Sequence, residues 1–135
     1  AVAAADAAGE PERVLAQMAD DFAEMERFRG VTLDAADDDR IRAFCLDGVR
    51  ERAALLRARC AAGRVRDGHG DLHAEHICLR PPGEGGIAIF DCIEFDPAFR
   101  RRDVAAEIAF LAMDLEFRGH PDLAAYVVSR YAAVT

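Results

Sequence analysis

The first 63 residues show apolar positions at helical spacing. One stripe predicts an amphipathic helix from Pro11 to about residue 29, and a second predicts a longer helix from the acidic run 37–39, taken as its N-cap region, to a stop at Gly63. The stripes are Val14, Met18, Phe22 and Met25 in the first helix, and Ile41, Cys45, Val49, Ala53, Leu56 and Cys60 in the second. The polar face of the second helix, which we expect to be solvated, carries Arg40, Arg42, Arg50 and Arg52.

The pattern changes after residue 63 to short apolar runs. Residues 77–79 and 87–90 flank a segment rich in glycine and proline, which predicts a β-hairpin. Residues 103–117 are apolar nearly all round, as in a buried helix, and a last helix starts at Pro121. This order predicts an α+β, mainly α fold. We treat 1–135 as a single domain whose alanine-rich start, residues 1–9, is linker-like.

Composition narrows the classes of protein to consider. A hydrophobic fraction of 52% argues against disorder, and no apolar run approaches the roughly 20 residues of a membrane helix. The net charge of −8 disfavours nucleic acids and anionic membranes as partners. The chain has no C-x-x-C spacing and no secretory signal, so we expect buried, reduced thiols and a cytoplasmic location. Because the first residue is not Met, we expect the chain to be excised from something longer.

Candidate chemistry is concentrated in the run 69–79, which reads HGDLHAEHICL. It combines an acid, three imidazoles and the start of a strand. The next strand ends on Asp91. A polar loop that runs into one strand, followed by a second strand that ends in Asp, can deliver two carboxylates to one cleft. That arrangement suits phosphoryl transfer, in which one carboxylate orients a hydroxyl and the other holds a metal ion on the nucleotide phosphates.

These motifs resemble the aminoglycoside phosphotransferase family, a branch of the protein-kinase-like superfamily, whose catalytic loop reads H-G-D-x-H-x-x-N and whose metal-binding strand ends in I-D or F-D. The runs 90–97, 103–105 and 109–115 look like an uncharacterised bacterial subgroup in which this domain is often joined to a separate P-loop kinase domain. The resemblance covers residues 67 to 119. At the family's Asn position, the sixth counted from Asp71, this chain has His76.

The resemblance implies the C-terminal helical lobe of a protein-kinase-like fold, whose hairpin carries the catalytic and metal-binding loops. It implies transfer of the γ-phosphoryl group of ATP or GTP to a hydroxyl of a small molecule. Asp71 would be the catalytic base, and Asp91 and His76 would bind Mg²⁺, or Mn²⁺, together with the nucleotide. The catalytic loop would be supported by His69, His73 and Asp103, while Glu94 and Asp96 could contact metal or substrate.

Two alternatives stay open at this stage. His69, His73 and His76, with Asp71 and Glu75, could form a zinc hydrolase centre, although a glycine and a strand interrupt the helix that their spacing would need. The other alternative is a non-catalytic helical module that packs against a partner kinase domain. Neither a glycine-rich phosphate loop nor a strand lysine precedes the motif. We therefore expect an N-terminal lobe to be missing, and the isolated chain to be inactive.

Overall fold

The computed structural model describes residues 7–81 and 83–135, which are mainly helical with two small β pairings. The predicted α+β, mainly α class is confirmed. The chain separates into two compact units, Ala1–Val65 and Arg66–Thr135. Of the start that we expected to be linker-like, residues 1–6 lie outside the described residues, and Ala7–Gly9 forms a 3₁₀ turn in which Gly9 is buried.

From residue 7 onward, the first unit contains three α-helices. Helix α1 spans Pro11–Met25 and continues into a 3₁₀ turn, Glu26–Phe28, close to the predicted end. The structure has two helices where the sequence predicted one long second helix: α2 at Ala35–Glu51 and α3 at Ala53–Ala61. The chain leaves the helical region at Arg52, with φ −102° and ψ 14°. Neither Gly nor Pro marks this break, and the hydrophobic stripe continues across it, so the sequence pattern did not predict it.

The N-cap of α2 also differs from the prediction. Asp34 precedes the helix in an extended conformation, and its Oδ1 accepts hydrogen bonds from the N–H groups of Ala36 at 2.9 Å and Asp37 at 3.2 Å. Asp37 and Asp38 lie inside the first turn, where carboxylates interact favourably with the positive end of the helix dipole, and Asp39 follows directly after it. The residues predicted as caps therefore lie within the helix.

Arg42 is not on a solvated face, which corrects the prediction for this one of the four arginines. Its Nε donates to Asp38 Oδ2 at 2.6 Å, and its Nη2 donates to the carbonyl of Phe22 at 3.1 Å. Asp38 is only 1% exposed and also bonds Arg29. Burial pushes the pKa of Asp38 upward, but the hydrogen bonds from Arg42 and Arg29 together outweigh it and hold that pKa below its usual value.

The second unit contains the predicted hairpin. Strands β2, Ile77–Leu79, and β3, Ile87–Ile89, pair antiparallel, with Cys78 opposite Ala88. Pro82, which lies between these strands in sequence, is outside the described residues. Strand β1, Val65–Asp67, pairs with β4, Arg101–Asp103. All four cysteines lie in the described part of the chain and none forms a disulfide, but Cys78 and Cys92 are exposed, which corrects the prediction that they are buried.

Three helices complete this unit: α4 at Pro97–Arg100, α5 at Val104–Phe117 and α6 at Pro121–Val134. Leu111 and Leu115 of α5 and Ala124 of α6 form its buried core. Partly buried apolar side chains from the preceding loop and β2 pack on that core, namely Leu72, Ala74 and Ile77. The loop that contains the candidate catalytic residues therefore packs on this core.

Helix α5 is buried on one face only, whereas its sequence predicted burial nearly all round. Phe110, Met113 and Phe117 are 36%, 54% and 90% exposed. Within the described residues, the neighbours of α5 cover the side that carries Leu111 and Leu115. No helix in this described part of the chain combines the length and apolar character needed to cross a bilayer.

Candidate active site

Two carboxylates of α5 hold the loop between β1 and β2. Glu107 Oε1 accepts a hydrogen bond from the N–H of Gly70 at 2.8 Å, and Asp114 Oδ2 accepts one from the N–H of Ala74 at 2.8 Å. The bond from Ala74 lowers the pKa of Asp114, and Arg118 adds to that effect. Sequence reasoning missed both carboxylates. Their signal was visible, because they are acidic positions seven residues apart, two turns, in a helix whose one other acidic residue is Glu116 near its end.

The glycines of the loop are needed for its geometry. A Cβ on Gly68 would lie 2.9 Å from Glu107 Oε1, so only glycine lets this carboxylate approach the loop so closely. Gly70 has a left-handed φ of +85°, and a Cβ there would lie 3.1 Å from the carbonyl oxygen of Phe99. The glycine of the H-G-D motif therefore sets the direction in which the chain enters Asp71.

His69 uses both ring nitrogens inside the loop. Its Nε2 lies 2.7 Å from the carbonyl oxygen of Phe90, and its Nδ1 lies 3.3 Å from the N–H of Asp71. A carbonyl only accepts and a peptide N–H only donates, so Nε2 carries the proton and Nδ1 is an acceptor. The main-chain carbonyl of His69 also accepts from the N–H of Ile93 at 3.0 Å. These bonds fit the supporting role predicted for His69.

Nε2 of His76 faces the carboxylate of Asp91. Its Nδ1 lies 2.9 Å from the carbonyl oxygen of Asp71, which can only accept, so Nδ1 is the donor. The lone pair of the neutral ring is then on Nε2, which lies 3.4 Å from Asp91 Oδ2. In that form the lone pair and the carboxylate oxygen repel one another, and either a second ring proton or a metal cation between them removes the repulsion. This donor pair therefore fits a bound cation.

Asp91 is in a left-handed conformation, with φ +63°. It is the one non-glycine residue with positive φ among the described residues. Aspartate tolerates this region better than most residues, and such strain is concentrated at functional sites. The conformation holds an exposed carboxylate, 75% accessible, at the end of β3.

His73 joins the same group of side chains. Its Nε2 lies 3.6 Å from Asp71 Oδ2, and its ring centroid is 3.9 Å from that of His76. Asp71, His73 and His76 each offer one ligand atom, and these atoms lie within 4.8 Å of one another. His73 was predicted to support the loop, through its position in the motif, and in the zinc alternative to bind a metal ion. The structure also places its ring beside the candidate ligands.

A cleft of about 390 Å³ contains both predicted carboxylates. Its lining is Asp71, Asp91, Cys92, Ile93, Glu94 and Phe95. The loop and the segment after the second strand thus place Asp71 and Asp91 on the lining of one cleft, as the expected arrangement requires. Glu94 lines this cleft as well, whereas Asp96 is not part of its lining.

Asp96 and Asp103 act as helix caps. Asp96 Oδ1 accepts from the N–H of Ala98 at 2.8 Å at the start of α4, and Asp103 Oδ1 accepts from the N–H of Ala105 at 2.8 Å at the start of α5. The bracing of the loop that was predicted for Asp103 stays a prediction. The bonds from α5 to the loop described above come from Glu107 and Asp114.

Arg100 is a further residue that sequence reasoning missed. Its Nε donates to Asp67 Oδ1 at 2.8 Å, and its Nη1 donates to the carbonyl of Ile93 at 2.7 Å. The guanidinium lowers the pKa of Asp67 through that hydrogen bond. Arg100 therefore ties the cleft segment after Asp91 to the strand that leads into the loop.

The chain is similar to proteins of mycobacteria. It is 35% identical over 127 residues to uncharacterized proteins of Mycobacterium bovis (strain ATCC BAA-935 / AF2122/97) and of Mycobacterium tuberculosis strains CDC 1551 / Oshkosh and ATCC 25618 / H37Rv. The match covers 94% of this chain, which spans about a quarter (25%) of the length of these curated relatives. No protein-family model matches the chain, and no solved structure matches it.

Proposed function

We propose that the chain forms the acceptor-binding and metal-binding part of a phosphotransferase, which moves the γ-phosphoryl group of ATP or GTP to a hydroxyl of a small molecule. One observation carries this proposal: Asp71 and Asp91, from successive loops, line the same cleft. Phosphoryl transfer needs one carboxylate for the nucleophile and another for the metal ion on the phosphates. We place the reaction in the cytoplasm, where nucleoside triphosphates are abundant.

Asp71 is positioned for the first of these roles. Its N–H donates to His69 Nδ1, and its carbonyl accepts from His76 Nδ1, which leaves the carboxylate as the part of the residue that can act on a ligand. That carboxylate is 41% exposed toward solvent. It would accept the proton of the acceptor hydroxyl as the new P–O bond forms and the nucleoside diphosphate leaves.

Asp91 and His76 would hold the divalent cation. The cation supplies charge neutralisation of the nucleotide phosphates when it is bound. The donor pair differs from the all-oxygen set that Mg²⁺ prefers, because His76 contributes a nitrogen. An N/O pair suits Mn²⁺ better than Mg²⁺. Metal preference is therefore a property on which we expect this chain to depart from the family it resembles.

Other parts of the whole protein would supply the remaining groups that the reaction needs. The chain contains no lysine, the residue that grips the nucleotide phosphates in kinases. We assign the binding of the nucleotide phosphates to an N-terminal lobe of the whole protein. We also include a C-terminal P-loop kinase domain among the proposed partners. The length of the mycobacterial relatives leaves room for both.

The two alternatives make different demands on the same residues. A zinc hydrolase centre built on three histidines needs a free nitrogen on His69, but both of its ring nitrogens already have partners within the loop. A non-catalytic module needs no open carboxylates. The exposed pair Asp71 and Asp91 favours the phosphotransferase over it.

The proposal can be tested with the complete gene product and γ-labelled ATP and GTP against a panel of hydroxyl compounds. The test variant is Asp71→Asn, and the matched control is Asp96→Asn, which alters a cap that asparagine can replace. We expect Asp71→Asn to lower kcat by about 100-fold or more with nucleotide affinity unchanged, since general base catalysis contributes at least that much. Transfer at the wild-type rate by Asp71→Asn would overturn the proposal. Nucleotide binding without transfer in the wild type would support the non-catalytic module.

A further inference from the structure

We propose that Asp71, His73 and His76 bind a borderline transition-metal ion of the Zn²⁺ class, and that this ion blocks the candidate active site when it is bound. The first half rests on the geometry of the three side chains alone. The second half rests on the proposed function, because it needs Asp71 to be the group that receives the acceptor proton.

The donors are available in the right form. The Nδ1–H of His76 is held by the Asp71 carbonyl at 2.9 Å, which leaves Nε2 unprotonated in the neutral ring. Metal-bound histidines in proteins are oriented in this way, by a hydrogen bond from the second ring nitrogen to a carbonyl or carboxylate. Nδ1 of His73 has no hydrogen-bond partner among the described residues, so its proton can stay on Nδ1 while Nε2 faces Asp71.

The separations suit a small, four-coordinate ion. Zinc bonds of 2.0–2.1 Å at tetrahedral angles place neighbouring ligand atoms about 3.3 Å apart. Asp71 Oδ2 and His73 Nε2 are 3.6 Å apart. The ligand atoms of the three-residue set all lie within 4.8 Å of one another. Small rotations of these partly buried side chains would close the remaining gap.

The chemistry of the donors selects the class of ion. Two imidazole nitrogens and a carboxylate suit Zn²⁺, whereas Mg²⁺ requires oxygen ligands in octahedral geometry. Only Nε2 of His76 is available to a metal ion, because Nδ1 is bonded to the Asp71 carbonyl. It cannot serve this ion and the nucleotide-bound cation at the same time, so the two ions compete.

Binding would disable the proposed base. A carboxylate oxygen of Asp71 that coordinates the ion can no longer accept the hydroxyl proton of the acceptor. The ion would also bring positive charge to the carboxylate and weaken it further as a base. We therefore expect inhibition of transfer by Zn²⁺ at concentrations that fill this site.

Titration of the 135-residue chain with Zn²⁺ by calorimetry tests the binding. The variants are His73→Gln and Asp71→Asn, with His120→Gln as the control, because His120 is the one histidine outside the loop. We expect one site whose affinity falls at least about tenfold in His73→Gln and in Asp71→Asn and is unchanged in His120→Gln. No binding by the wild type, or equal binding by His73→Gln, would overturn the proposal.

A second measurement on the wild type covers the case in which His73→Gln fails to fold. Co²⁺ in a four-coordinate nitrogen and oxygen site absorbs visible light more strongly than hydrated Co²⁺, so the spectrum reports coordination directly. A spectrum identical to that of free Co²⁺ at saturating protein would contradict the site. The two proposals can fail separately. Zinc binding in a gene product without transfer activity would leave the metal site standing, and transfer without zinc binding would leave only the phosphotransferase.

Discussion

Glu107 Oε1 accepts a hydrogen bond of 2.8 Å from the N–H of Gly70, the residue directly before Asp71. Glu107 is 9% exposed, so little water competes for this bond. Gly68 completes the fit, since any Cβ there would meet the same carboxylate at 2.9 Å. The position of Asp71, the candidate base, therefore depends on the carboxylate of Glu107 in helix α5.

Loss of this contact should destabilise the chain. We expect Glu107→Ala to lower the free energy of unfolding by about 1–3 kcal/mol, the usual effect of leaving a buried peptide N–H without its acceptor. Glu116→Ala is the matched control, because it makes the same change at an exposed position of the same helix. It should stay within about 0.5 kcal/mol of wild type. Urea unfolding curves of the wild type and the two variants measure both values. Equal losses of unfolding free energy in the two variants would show that the hydrogen bond to Gly70 adds nothing to stability.

Two glycines with almost the same φ separate backbone strain from steric contact. Gly70 has φ +85° and Gly119 has φ +86°, but a Cβ meets the Phe99 carbonyl oxygen at 3.1 Å in the first and nothing within 4 Å in the second. We expect Gly119→Ala to cost about 1–2 kcal/mol for the left-handed conformation alone. Gly70→Ala should cost about 1–3 kcal/mol more, because packed neighbours must move. Thermal or urea unfolding of both variants tests this difference, and a Gly70→Ala variant as stable as Gly119→Ala would refute it.

The sequence predicted features that local patterns encode. The hairpin followed from two apolar runs around a glycine-rich turn, and the meeting of Asp71 and Asp91 followed from that hairpin. The metal-ligand set followed only in part, because the zinc alternative contained Asp71, His73 and His76 together with His69 and Glu75. Spacing alone grouped His69 with the other imidazoles, whereas its ring turns to the Phe90 carbonyl, a partner 21 residues away in sequence.

Long-range partners explain the other failures too. Arg42 appeared to lie on a polar face because helical periodicity describes one helix at a time. Its real partners are a buried carboxylate on its own helix and the Phe22 carbonyl of α1. Single buried polar groups such as Asp38 are set by packing between elements, and a hydrophobic pattern carries no information about that packing.

Asp114 should make the stability of the chain depend on pH. Its folded pKa lies below the ordinary value of 3.8, first because of the Ala74 N–H and then because of Arg118. A carboxylate with a lowered pKa stabilises the fold above its unfolded pKa, and this contribution is lost as the pH falls through the folded pKa. We expect Asp114→Asn to be less stable than wild type at pH 7, with a difference that shrinks below about pH 4.

Urea midpoints between pH 3 and pH 7 measure this effect. Asp122→Asn, an exposed change in α6, serves as the control and should follow the wild-type pH profile. A difference between Asp114→Asn and wild type that is constant over the whole range would show that the charge of Asp114 is not what stabilises the loop.

The 135-residue chain alone should fold but turn over nucleotide poorly. Folding is expected because α5 and α6 bury a shared core against the loop, and calorimetry on the chain can check it. Poor turnover is expected because kinases hold the phosphates with a lysine and a covering loop as well as with the catalytic lobe, and this chain has no lysine. Asp91 could retain weak metal–nucleotide binding, but a misplacement of about 1 Å can cost on the order of 100-fold in rate. A coupled nucleotide-hydrolysis assay of the chain, with Asp91→Asn as the background control, measures this. Robust turnover that Asp91→Asn abolishes would mean that these residues suffice for catalysis and that no second lobe is needed.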